Sequence, residues 1–216
     1  MSSVVATGQH LMTVPDLELA SRRLAALLPG VPDSALGAPT PCADTTVAAL
    51  LDHIMGLAEG LRASARKEPT EAPVASAEHL DPRWRELLPP RLDALVAAWR
   101  EPGAGEGTTT AGGIELPAAE VAAVTLDELV IHGWDLARAT GQPYEPAPAD
   151  VAAIQPFLEA FGSEQGVPGL FGPAFPVPDN ASPFDRALGL SGRDPAWRAP
   201  DGVVRRRPAG GGALYA

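Results

Sequence analysis

Several residue types are scarce in this chain, and each scarcity narrows the function. Cysteine occurs once, at Cys42, so no internal disulfide can form and a reducing cytoplasm is the expected compartment. Lysine also occurs once, at Lys67, and arginine supplies the rest of the 16 basic residues. Against 27 acidic residues they leave a net charge of −11, and a chain without a basic face is expected to bind neither nucleic acid nor an anionic membrane. The one concentrated basic run, Arg205 to Arg207, stands in a glycine-rich tail. No stretch approaches the roughly eighteen apolar residues that cross a bilayer. The first ten residues lack the basic start and apolar core of a secretory signal. Arginine in place of lysine, with abundant alanine, glycine and proline, reads as the coding bias of a GC-rich bacterial genome.

What remains is apolar enough for one sizeable core, with 45% hydrophobic residues. The 22 glycines and 24 prolines gather towards the C-terminal third, which places the ordered part before about residue 160. Apolar residues at helical spacing predict helices over 13–28, 46–66, 83–100, 118–140 and 147–161, with a short one at 183–190. Asp44 or Thr45 is available to cap the second helix. Pro89-Pro90 is expected to break or kink the third, and Gly141 is a natural stop for the fourth. Residues 101–117 read as a long loop with at most a short extended piece. With no alternating strand pattern, the expected class is all-α. The expected divisions are a helical bundle over 1–161, an irregular extension packed on it over 162–198, and a disordered tail over 199–216.

The fourth helix carries the chemistry. Projected at about 100° per residue, it places Glu128, His132 and Asp135 within about 60° of one another on an otherwise apolar stripe. Asp127 and Arg138 project to a different side, which reads as solvated. Glu-x3-His puts a carboxylate and an imidazole one turn apart, a spacing that chelates a metal or forms a plain ion pair. His53 lies beside the apolar stripe of the second helix, with Ala49, Gly56 and Gly60 around it. That leaves room for an ion or ligand, although a hydrogen-bonded helix-boundary histidine has the same signature. His10 and His79 fall in polar loops, Glu59 reads as solvated, and Trp134 as packing.

Two segments, PTPCADTTVAALLDHIMG (39–56) and LDELVIHGWDLARATGQP (126–143), resemble motifs of metal-binding proteins related to mycothiol-dependent maleylpyruvate isomerase and, more distantly, of the DinB-like bundles. FGPAFPVPDNASPFDRALGLSGRDPAW (171–197) is similar to their usual C-terminal run, so the resemblance spans roughly 13–197. It implies a DinB-like four-helix bundle with His53, Glu128 and His132 as metal ligands. Two histidines and one carboxylate leave coordination positions open, which suits zinc first, with iron or nickel as further candidates. In such relatives a low-molecular-weight thiol such as mycothiol occupies an open position, and metal coordination turns a thiol into a thiolate nucleophile. Asp135 is then placed either to accept the His132 ring N–H or orient a water, or to form a helix-surface salt bridge. Cys42 reads as a small loop residue rather than a nucleophile, so the thiol is expected from outside. The leading expectation is a thiol-using transferase or isomerase for a small electrophilic metabolite, in a monomer or homodimer. A non-catalytic metal- or ligand-binding bundle and a non-haem iron oxygenase stand as alternatives.

Overall fold

The computed structural model describes residues 14–69, 75–163, 165–166 and 172–200. Helix α1, Glu18–Leu27, begins later than its periodicity predicts. Pro15 precedes it, and the Asp16 carboxylate accepts the Glu18 N–H at 3.1 Å in a turn that leads into the helix. Helix α2, Val47–Ala65, is capped by Thr46, whose hydroxyl accepts the Ala49 N–H at 3.3 Å, rather than by Asp44 or Thr45. Asp44 instead takes a positive φ of 56° in the preceding turn. Helix α3, Trp84–Trp99, runs unbroken through Pro89 and Pro90. Two helix donors are missing there, yet Leu88, Leu92 and Leu95 stay locked in the core on the opposite side.

The stretch expected to be a loop contains an antiparallel hairpin, β1 (Thr108–Ala111) paired with β2 (Ile114–Pro117). Gly112 and Gly113 form its turn with φ of 57° and 81°, the two left-handed positions a tight hairpin needs. Ser64 and Thr109 fasten it to the end of α2: the Thr109 hydroxyl donates to the Ser64 carbonyl at 2.6 Å, and the Ser64 hydroxyl to the Thr110 carbonyl at 2.7 Å.

Helix α4, Ala118–Thr140, ends on Gly141 in the left-handed conformation, and α5, Pro148–Phe161, opens with proline in its first turn. Helices α1 to α4 form the bundle, in which α4 touches both α1 and α2, and α3 closes the ring against α2 and α1. This is the all-α four-helix architecture the sequence predicts, to which the hairpin is added. Leu24, Leu50, Leu51, Leu92 and Leu95 fill the centre, each at most 1% exposed. Helix α5 packs on α4, and α6, Pro183–Leu190, packs on α5. Of the expected disordered tail, 199–216, residues 201–216 lie outside the described residues. No described helix is long and apolar enough to cross a membrane.

Candidate metal centre

Helices α2 and α4 lie side by side, and that contact brings the sequence-predicted donors together. Nitrogens of His53 and His132 and a carboxylate oxygen of Glu128 all fall within 4.8 Å of one another. His132 Nε2 lies 2.9 Å from Glu128 Oε2, and His53 Nε2 lies 3.7 Å from the same oxygen. The two imidazoles meet edge to face, with ring centres 4.9 Å apart. His132 Nδ1 faces Asp135 Oδ2 at 3.0 Å, which leaves Nε2 pointed at Glu128. Access is graded: the His53 side chain is 37% exposed, Glu128 16%, His132 8% and Asp135 not at all.

Inside the H-G-W-D run, Gly133 has a packing reason. A Cβ there would sit 2.7 Å from the Tyr144 hydroxyl, and that hydroxyl donates to the Val130 carbonyl at 3.1 Å. Trp134 is buried, with the Arg138 guanidinium over its ring. Behind Glu128 the bundle is closed. The cavity between it, Leu24, Ile54, Leu57, Leu92 and Leu129 is about 10 Å³, room for one water at most.

The charges are strongly coupled. Burial alone raises the Glu128 pKa, but hydrogen bonding and charge from His132, then from His53, outweigh it and hold the carboxyl well below its ordinary range. Burial likewise opposes the His132 imidazolium, yet Asp135 and Glu128 on either side hold the His132 pKa well above the ordinary value. His132 thus lies between two carboxyl groups, with Glu128 2.9 Å from Nε2 and Asp135 3.0 Å from Nδ1. A divalent ion suits this donor set, because it replaces the Nε2 proton while Asp135 keeps its place on Nδ1.

Asp127 departs from expectation. It is 2% exposed rather than solvated, and the segment after α6 lies against its side of α4 at Arg138, which donates to the Trp197 carbonyl at 2.9 Å. From the same segment Arg193 donates to Asp135, on the neighbouring stripe of α4, at 3.0 Å. Burial, then the Glu128 charge, pushes the Asp127 pKa up to about 8, and its Oδ1 has no hydrogen-bond partner among the described residues. A group whose folded pKa lies above its unfolded one contributes stability below the unfolded value and loses it as pH rises through the folded value. For Asp127 that window runs from about pH 4 to about pH 8. Metal-free Asp127→Asn is therefore expected to melt several degrees above the parent at pH 8, an advantage that shrinks towards pH 4. A melting curve showing equal loss at both pH values would refute a buried neutral carboxyl.

Other predicted positions fall elsewhere. Glu59 is partly exposed and paired with Arg62 and Arg91, and His79 is exposed. His10 lies outside the described residues. Cys42 is partly buried in the turn before α2. Arg193 was not anticipated. Its only sequence signal was an arginine following Ser191-Gly192 at the end of a predicted helix.

Comparison with known proteins agrees with this layout. The family model described as the mycothiol maleylpyruvate isomerase N-terminal domain matches residues 17–137, which include every predicted donor and Asp135. Two uncharacterized proteins of Mycobacterium tuberculosis, from strains CDC 1551 and H37Rv, are each 29% identical over 78% of this chain and 91% of their own. The crystal structure of the mycothiol-dependent maleylpyruvate isomerase is similar in fold, with a TM-score of 0.61 at 19% identity over 88% of this chain and 92% of that one. That of a histidine-to-alanine mutant of the enzyme gives 0.53 at 20% identity over 71% of each. With more than half its length matched, the chain belongs to the mycothiol maleylpyruvate isomerase N-terminal domain family.

Proposed function

We propose that His53, Glu128 and His132 hold one divalent metal ion, zinc in the first instance. The loaded protein then uses an external low-molecular-weight thiol, mycothiol or a close analogue, to isomerise a small electrophilic acid. The observation that carries this reading is the convergence of two imidazoles and one carboxylate from two helices, with one face open beside His53. Family membership and the name of the solved relative, a mycothiol-dependent maleylpyruvate isomerase, point to the thiol and the reaction class.

When bound, the metal supplies a Lewis acid that favours the thiolate form of a thiol, and the thiolate supplies reversible addition to a polarised double bond. The chain's own residues do the rest. Glu128 brings the negative charge that a dication requires, and Asp135 fixes the His132 ring so that Nε2 faces the site. Helix α2 contributes His53 at the rim, where a thiol and a substrate have access. The closed apolar core behind Glu128 keeps bulk water out on that side.

The test is cis–trans isomerisation of maleylpyruvate by zinc-loaded protein, followed by ultraviolet absorbance with and without mycothiol. Thiol-dependent turnover that disappears on chelation is expected. A loaded protein that turns over no unsaturated acid with any of several thiols would favour a non-catalytic metal-binding bundle.

A further inference from the structure

Asp135 is completely buried, and a single oxygen, Oδ2, receives two donors: His132 Nδ1–H at 3.0 Å and Arg193 Nη2–H at 3.0 Å. Arg193 comes from beyond α6, outside the residues that match the family model. It is only 7% exposed, and its placement is built rather than incidental. Helix α6 ends in a Schellman turn, in which the Gly192 N–H donates to the Gly189 carbonyl at 3.0 Å and the Arg193 N–H to the Leu188 carbonyl at 2.8 Å. Gly192 has φ +80°, and a Cβ there would lie 3.1 Å from the Pro173 carbonyl, so a side chain is disfavoured by both strain and crowding. Arg193 Nη1 is held in turn by the Ser191 carbonyl at 2.6 Å. Turn, backbone and guanidinium are all fixed before the side chain reaches Asp135.

We propose that Arg193 is a positioning residue of the metal site, through which the C-terminal segment fixes the orientation of His132. The proposal rests on the reading of His53, Glu128 and His132 as metal ligands. A buried carboxylate with only an imidazole beside it carries uncompensated charge. Deprived of Arg193, Asp135 would turn away or recruit water, and the His132 ring would lose the acceptor that aims Nε2. A purely structural Arg193 would tie α6 to α4 and affect melting alone, without changing the zinc affinity of the folded protein.

The experiment measures zinc affinity of the full-length protein by competition with a chromophoric chelator, beside melting by circular dichroism. Arg193→Met is expected to weaken zinc binding about 10-fold or more, the scale typical of lost partners behind metal ligands. Arg193→Lys keeps the charge but not the fork, and should recover most of that loss. Adding Arg193→Met to Asp135→Asn should cost nothing further in affinity, because both act through one contact. Wild-type zinc affinity in Arg193→Met, with His132→Ala binding none, would overturn the role of Arg193 and leave the metal site standing. A parent protein that takes up no zinc would overturn the ligand assignment and this proposal with it. Should Arg193→Met fail to fold, Arg193→Lys decides: a few-fold weakening is expected, and parental affinity overturns the proposal.

Discussion

Glu128→Gln is expected to lower zinc affinity by at least about 100-fold, since losing even an outer partner of a metal ligand costs 10- to 100-fold. Among the described residues Glu128 is the carboxylate that both imidazoles approach, at 2.9 Å and 3.7 Å. Glutamine keeps its shape but not its charge, so a dication would face two neutral nitrogens and an amide. His132→Ala should do at least as much damage, because it removes a donor and also strips Asp135 of its ring partner. Elemental analysis after dialysis, normalised to protein, measures both variants. Parental metal content in the two together would show that the ion, if any, sits elsewhere. Helix content should survive in both, since neither side chain belongs to the leucine core.

Thiol binding should be equally clear. Cobalt-substituted protein is expected to develop a thiolate charge-transfer band as mycothiol is added, saturating near one thiol per metal. Cys42→Ala should titrate identically, because Cys42 sits in the turn before α2 and is not among the residues whose donor atoms converge. Thiol binding should weaken as pH falls, since protons compete for the sulfur and for both histidines. A band that is present before any thiol is added and vanishes in Cys42→Ala would make the protein's own sulfur the ligand.

Where the sequence was legible, it was legible for local reasons. Helix α4 is bounded by Pro117 and Gly141, and α5 opens on Pro148, signals that act within one turn. Glu128, His132 and Asp135 share a stripe because helical periodicity alone places them there. That His53 faces them depends on α2 packing against α4, which was read from family resemblance and not from spacing. The hairpin escaped notice because each strand is four residues long and Thr108 to Thr110 offers no apolar alternation; Gly112-Gly113 was the available clue. Asp127 was misplaced because a helical projection assigns sides to one helix and cannot register a segment some sixty positions later that lies against one of them. Arg193 was invisible for the same reason. Its partner, Asp135, is settled by the docking of α6 on α5, which no periodicity encodes.

The pairing of α2 with α4 also bears on how the chain is held together. His53 and Glu128 stand about 75 positions apart, with α3 and the hairpin between them, so an ion gripping both closes a loop about as long as those spanned by large disulfides, worth roughly 4 kcal/mol in chain-entropy terms. A protein with one cysteine has no covalent staple of that reach. The metal would serve as a removable one, making resistance to unfolding rise and fall with zinc supply.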